Sequence, residues 1–338
     1  MKQPDVDRLK ELLNTADKIV IIPHKNPDGD AIGSTLGLYY FLSLIGKESK
    51  VMVPNDFPKF LKWIPGAKDI LIYEYQTDYC KNLIAAADVI FTLDFNDFSR
   101  TGEVCKDLEN TKAKFVMIDH HQQPSDYAEI TYSDTSMSST CEMVYTLVDA
   151  FGLAEKITPE MATCLYTGIL TDTGSFKYRS TTSKTHRAIA QLIDQGAQGT
   201  LISQQIYDNN SPSRLKLLGI ALNNLVIMPE YRTAFITMSQ AELDTHNYAK
   251  GDTEGFVNYG LTLEGIIFAV IFIENKEEGI IKISFRSVGD FSVNKFARNH
   301  FNGGGHDNAA GGRSELSLEQ TVEKFKALLP EYKTDLLA

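Results

Sequence analysis

The chain of 338 residues reads as an α/β protein, a parallel-sheet N-terminal domain followed by a smaller α/β C-terminal domain. Three observations predict this. Through the first half, short and nearly continuous apolar runs alternate with helical periodicities, the pattern of strands buried on both faces between helices. Past residue 225 the texture changes to longer strands joined by a hairpin turn. The length also exceeds one comfortable core, at about 100–200 residues per domain. The expected division is residues 1–205, a connector helix over 206–225, and residues 226–338.

Val6, Leu9, Leu12 and Leu13 share one face of a helix over residues 5–16, with Pro4 near its start. Ile19-Val-Ile-Ile22, stopped by Pro23, is a buried strand, and a polar loop runs from His24 to Asp30. A helix over about 31–45 ends before Gly46, the residue type that follows helices most readily. Residues 50–53, 88–93 and 114–118 are further strands, with helical stretches between or after them. Residues 139–151, 158–170 and 183–195 are helical. The connector over 212–225 is expected to present Leu215, Leu218, Leu222 and Leu225 as its apolar face. Strands are expected at 231–238, 265–274 and 279–286, then a Gly-rich loop over 303–312 and a terminal helix over 317–329. Phe256, Tyr259, Phe268 and Phe272 read mostly as core.

Composition narrows the function. No apolar run approaches the ~18 residues that cross a bilayer, and no apolar signal core follows Met-Lys-Gln-Pro-Asp at the start. A cytoplasmic protein with no membrane partner is expected. Cys80, Cys105, Cys141 and Cys164 are far apart and form no C-x-x-C, so free thiols are expected. The net charge of −11 disfavours a broad face for long duplex DNA, which needs cations along the backbone. The carboxylate excess suits divalent metal.

Candidate chemistry concentrates at strand ends. His24-Lys-Asn-Pro-Asp-Gly-Asp30 follows the first strand, Asp94 the third, and Asp119-His120-His121 the fourth, while Asp172 follows a helix. In an open α/β sheet, ligands bind outside the carboxyl ends of the strands. Converging carboxylates repel, and divalent cations remove the conflict. Mixed carboxylate and imidazole ligation suits Mn²⁺, with Mg²⁺ or Zn²⁺ as alternatives. Two such ions suit water activation and in-line phosphoryl displacement. Singly, an Asp at a strand end is usually a helix cap, and Asn-Pro or Asp-Gly is ordinary turn chemistry. The five fixed positions of H-x-N-P-D-x-D, however, arise by chance in roughly one of ten thousand such chains.

In order, His24-x-Asn-Pro-Asp28-x-Asp30, Asp94, Asp119-His120-His121 and Asp172 resemble the four motifs of the DHH phosphoesterase family. Gly303-Gly304-Gly305-His306 with the following Ala-Ala-Gly resembles the signature of the DHH-associated C-terminal domain, and Ser284-Phe-Arg286-Ser its arginine-bearing strand. Within the family the chain looks like the compact nanoRNase (oligoribonuclease/pAp phosphatase) branch. The resemblance implies two metal ions in a cleft between the domains. His24, Asp28 and Asp94 would hold one ion, and Asp30, Asp94, His120 and Asp172 the other. His121 would face the substrate phosphate as donor or leaving-group acid, and Asp119 would orient a histidine.

Three glycines let backbone approach an anion, Arg286 can fork onto a phosphate, and His306 can donate to one. Arg100 reads as a phosphate contact or a surface ion pair, and Asn26 as a water or phosphate ligand or a loop brace. Ser139 and Thr140 read as helix caps in preference to anion binders. The expected reaction is metal-dependent exonucleolytic hydrolysis of short oligoribonucleotides and of adenosine 3′,5′-bisphosphate (pAp). Alternatives are a phosphodiesterase for linear or cyclic dinucleotides (pApA, cyclic di-AMP), an inorganic pyrophosphatase, and a nucleotide-binding regulator with a decayed site. The oligomeric state stays open, with a homodimer among the alternatives.

Overall fold

Ile19–Pro23 (β1) is buried along its whole length because both its faces are covered. Ile19 and Ile21 enter one apolar core while Val20 and Ile22 enter another, the alternation that a pleated strand imposes. In the computed structural model, which describes residues 3–338, this strand lies within a six-stranded sheet. Its partners are β2 (Ser49–Val53), β3 (Leu71–Ile72), β4 (Val89–Leu93), β5 (Lys114–Asp119) and β6 (Ile130–Ser133). The order is β3-β2-β1-β4-β5-β6, with every neighbouring pair parallel. This is the doubly wound order, and it reverses between β1 and β4, where loops diverge and leave a crevice.

The helices of this unit are α1 (Gln3–Thr15), α2 (Gly29–Leu44), α3 (Thr77–Ala86), α4 (Cys105–Asn110), α5 (Thr140–Ala150), α6 (Pro159–Asp172), α7 (Ser183–Asp194) and α8 (Gly199–Tyr207). Side chains of α2, α5 and α6 fill one core, and Cys80, Ile84 and Leu108 of α3 and α4 fill the other. The contact between α2 and α6 is backbone-close. A Cβ on Gly33 would lie 2.6 Å from the Cys164 carbonyl oxygen, and one on Gly168 would lie 2.1 Å from Cys141 Sγ. Only glycine permits that approach, which sets the N-terminal half of α2 close against α6.

The chain divides into two units, residues 1–209 and 210–338. The second contains α9 (Pro212–Asn223), β7 (Val226–Met228), β8 (Thr233–Met238), α10 (Gln240–Thr245), β9 (Phe268–Asn275), β10 (Ile280–Ser287), α11 (Val293–His300), β11 (Gly304–His306), β12 (Ala309–Ser314), α12 (Leu318–Leu328) and α13 (Lys333–Leu337). Its sheet runs β11-β12-β10-β9-β8-β7, parallel only between β8 and β9. Phe235, Phe268, Phe272, Phe285, Phe296, Phe301 and Phe325 fill the core on one face. Leu217 and Ala221 of α9 pack with Ile236, Ala269 and Ile271 on the other.

Two local expectations are corrected. Leu215 and Leu222 are exposed, at 55% and 46%, and the buried line of α9 runs through Leu217 and Ala221. The small Ala221 lets the helix sit close to the sheet, whereas counting leucines selects a neighbouring face. The 303–312 segment is also not a loop. It forms the hairpin of β11 and β12, with Gly304 opposite Gly311 and His306 opposite Ala309. Glycine carries no strand propensity, but here it is what fits. Gly305 has φ 148°, and a Cβ there would lie 2.4 Å from the Ala309 carbonyl oxygen.

Candidate active site

The carboxyl ends of β1, β4 and β5 deliver their charged residues to the switch point. His24 Nε2 lies 3.4 Å from Asp94 Oδ2 and 4.0 Å from Asp28 Oδ2. His120 Nε2 lies 3.5 Å from Asp94 Oδ1, 3.5 Å from Asp172 Oδ2 and 3.8 Å from Asp30 Oδ2. His24, Asp28 and Asp94 form one cluster and Asp30, His120 and Asp172 another, each with ligand atoms within 4.8 Å of one another. Asp94 stands between them, Oδ2 toward the first and Oδ1 toward the second.

Local structure explains each placement. Asp28 is the N-cap of α2, its Oδ1 accepting the Asp30 and Ala31 N–H groups at 3.0 Å, which leaves Oδ2 on the His24 side. Asp30 sits in the first turn of the same helix, where its carboxylate accepts the Thr140 and Cys141 N–H groups at 2.7 and 2.8 Å. Asp172 is the last residue of α6. Asp94 adopts φ 64°, a left-handed conformation that Asp tolerates better than most residues. Asn26, also left-handed at φ 57°, is held by Asn55. Asn55 Oδ1 accepts the Asn26 N–H at 2.7 Å, and Asn55 Nδ2 donates to Asn26 Oδ1 at 2.9 Å.

The 97–100 turn is tied to the same loop, with the Arg100 carbonyl accepting the Lys25 N–H at 2.8 Å. Asp119 Oδ2 accepts the His121 N–H at 3.0 Å, and Asp119 Oδ1 lies 2.7 Å from His121 Nδ1. In the second unit, Arg286 of β10 pairs in register with Ala309, which pairs with His306. Arg286, Gly304, Gly305 and His306 therefore share one end of that sheet, with Gly303 leading in. Arg286 Nη1 donates to the Phe285 carbonyl at 3.0 Å.

Sequence reasoning missed Asn55 and the ligand contacts of Thr140. Asn55 sits two residues past β2, at the sheet's carboxyl edge, and that position was the available signal. Ser139 caps α5, its hydroxyl accepting the Glu142 N–H at 3.0 Å. Thr140, read as a cap, instead donates its hydroxyl to Asp94 Oδ1 at 3.0 Å.

Residues 18–169 match the model of the DHH family, N-terminal domain, and residues 234–334 that of the DHHA1 domain. The bifunctional oligoribonuclease and PAP phosphatase NrnA of Thermus thermophilus is 33% identical, over 94% of this chain and 90% of its own. This chain belongs to the DHH family. It is a hydrolase of phosphate esters. Its fold overlays the crystal structure of an exopolyphosphatase-related protein from Bacteroides fragilis with a TM-score of 0.95, at 42% identity and covering 100% of this chain and 98% of that one. The cyclic-di-AMP phosphodiesterase GdpP of Geobacillus thermodenitrificans is 26% identical over 96% of this chain, which spans 49% of that protein. Among the described residues, no helix is long and apolar enough to cross a membrane.

The electrostatics of this DHH chain show whether the site suits cations. Burial raises the Asp30 pKa well above the carboxylate range, and the charges of Asp94 and Asp172 raise it further. Burial disfavours charge on His120 too, but its hydrogen bond to Asp94 and the charge of Asp172 outweigh that and raise its pKa well above the usual value. The same contest, through Asp94 and Asp28, raises His24. Burial opposes ionisation of Asp94, yet hydrogen bonds from His120 and His24 hold it well below the usual range. Positive charge is thus favoured beside Asp94. The imidazoles are also oriented as ligands. His24 Nδ1 faces the Lys25 carbonyl at 2.8 Å and His120 Nδ1 the Met137 carbonyl at 3.2 Å. A carbonyl only accepts, so once neutral each ring keeps its proton on Nδ1 and aims an Nε2 lone pair at the carboxylates. The donor set fits divalent cations. His121 differs, since burial and then the Arg100 charge push its pKa well below the usual value. Burial and the Asp94 charge raise Asp119 to about 6.

Proposed function

We propose that this chain hydrolyses short oligoribonucleotides from an end, and pAp to AMP and phosphate, using two divalent cations, with manganese the best suited. The observation that carries this is the convergence of His24, Asp28, Asp30, Asp94, His120 and Asp172 on the switch point of a parallel sheet. The likeness to the Thermus thermophilus oligoribonuclease and PAP phosphatase, over most of both chains, supports this choice of substrates.

His24, Asp28 and Asp94 would hold one cation, and Asp30, Asp94, His120 and Asp172 the other. When bound, the pair supplies Lewis-acid activation of water and charge neutralisation at the phosphoryl group. The remaining work falls to side chains. Asp119 keeps the His121 Nδ1 proton directed at itself, which fixes the ring and makes Nε2 the nitrogen that would meet the substrate. An anionic substrate opposes the pull of Arg100 on His121, so the ring takes up a proton at Nε2 and passes it to the leaving oxygen. Arg100 attracts the same phosphate. Within the second unit, Arg286, the glycine hairpin and His306 form a grip suited to a further phosphate. Few phosphates need few cations, in keeping with a net charge of −11.

Manganese-loaded protein incubated with pAp and with a labelled RNA dinucleotide is expected to release phosphate and mononucleotide; release of neither ends the proposal. The likeness to the cyclic-di-AMP phosphodiesterase supports a second reading. Cyclic di-AMP and pApA therefore belong in the same panel, and cleavage of cyclic di-AMP faster than of pAp and RNA would favour it.

A further inference from the structure

One buried carboxylate of the first unit has no part in that reading. Glu142, 3% exposed in the first turn of α5, accepts the Ser138 N–H at 3.2 Å, the Ser138 hydroxyl, and the Thr185 hydroxyl at 3.0 Å. Thr185 belongs to the capping box of α7. Glu142 thereby fastens the segment entering α5 to two helices.

That segment touches three of the proposed ligands. The Met137 carbonyl faces His120 Nδ1, and the Thr140 and Cys141 N–H groups take the two oxygens of Asp30. The fully buried Thr140 hydroxyl donates to Asp94 Oδ1 at 3.0 Å. Helix capping does not explain this last bond, because Ser139 performs the capping. The torsion that turns a carboxylate is broad and nearly two-fold. Asp94 therefore depends on its neighbours to keep one oxygen toward each cluster, against the like charges of Asp30 and Asp172.

We propose that Thr140 is a positioning residue for the cation pair: its hydroxyl fixes the orientation of the Asp94 carboxylate, with one oxygen toward each cluster, its N–H orients Asp30, and Glu142 holds the segment in place. The hydroxyl occupies one lone pair of Oδ1 and leaves the other for an ion. This rests on the metal ligation proposed above.

Thr140→Val removes the donor at nearly constant volume, Thr140→Ala removes it with less bulk, and Thr140→Ser retains it. Manganese affinity is measured by titration calorimetry well below the melting temperature, and melting is followed with and without manganese. The expected loss of affinity is about 10–100-fold for Val and Ala, the usual cost of removing a group that orients a metal ligand. Ser should stay within about threefold, and Glu142→Gln should lose affinity in the same direction by less than Val. Wild-type affinity in the folded Val or Ala variant, whatever its melting temperature, overturns the inference and leaves the metal reading standing. A loss in Ser as large as in Val also overturns it, because the hydroxyl would then be irrelevant. A wild-type protein that takes up no manganese removes both.

Discussion

Around β1 and β4 the first unit buries Asp30, Asp94 and Asp119 together with His24, His120 and His121, whereas the core of the second unit's sheet is built largely from phenylalanine, with Arg286 and His306 half-buried near its edge. The first arrangement is costly, since buried charge must be matched or neutralised. Within it, hydrogen bonds from His120 and His24 hold Asp94 ionised. The second is stable on apolar packing and keeps Arg286 and His306 half-buried. Metal uptake should therefore report on the first unit, and substrate affinity on the phosphate grip of the second.

The hardest test of that separation is Asp94→Asn, which weakens both clusters at once. Hydrolysis of pAp should fall by on the order of a thousandfold or more, equivalent to about 4 kcal/mol, and the manganese-induced rise in melting temperature should vanish. Leu217→Ala probes the other side. It should cost about 2–4 kcal/mol of stability in denaturant unfolding, without altering manganese affinity in the folded protein. Leu222→Ala, on the exposed face of the same helix, should cost under about 0.5 kcal/mol. Arg286→Ala should raise KM for pAp about 10–100-fold by removing charged hydrogen bonds, again with manganese affinity unchanged.

A modest effect is expected on pH dependence. In metal-free protein His24, His120 and Asp30 all have raised pKa values, so each binds its proton more tightly folded than unfolded. Such groups add stability below the unfolded value and lose it as pH rises through the folded one. His121 is shifted the other way, so its contribution changes only below 6.5. Above pH 6.5, then, the melting temperature of metal-free protein should fall by roughly 2–4 °C, and saturating manganese should abolish the fall. A flat metal-free profile would break the link between the raised values and the cluster.

What was legible in the sequence follows from what each element depends on. β1, β4 and β5 are nearly all apolar because both faces are buried, so their runs and the residues at their ends could be read directly. The His24 to Asp30 loop was legible because its functional residues lie close together in the chain. Thr140 was not, because a hydroxyl at a helix start reads as a cap, and its bond to Asp94 spans 46 residues. The β11–β12 hairpin was illegible for a different reason. Its strands are held by backbone pairing at positions where a side chain would collide, so the residues that make it a strand are those that lack strand propensity. The buried face of α9 was misread because a small alanine, not a leucine, marks where the helix meets the sheet.

Gly168 carries a last consequence. A methyl group there would meet Cys141 Sγ at 2.1 Å and Asp30 Oδ1 at 2.9 Å, so main chain, thiol and carboxylate already touch with nothing left to compress. The helices bearing Asp30 and Asp172 are thus spaced by a rigid stop. The proposed ligands mounted on such a gauge cannot close in around a smaller ion. The dimensions of the nest are dictated by a residue with no chemistry of its own.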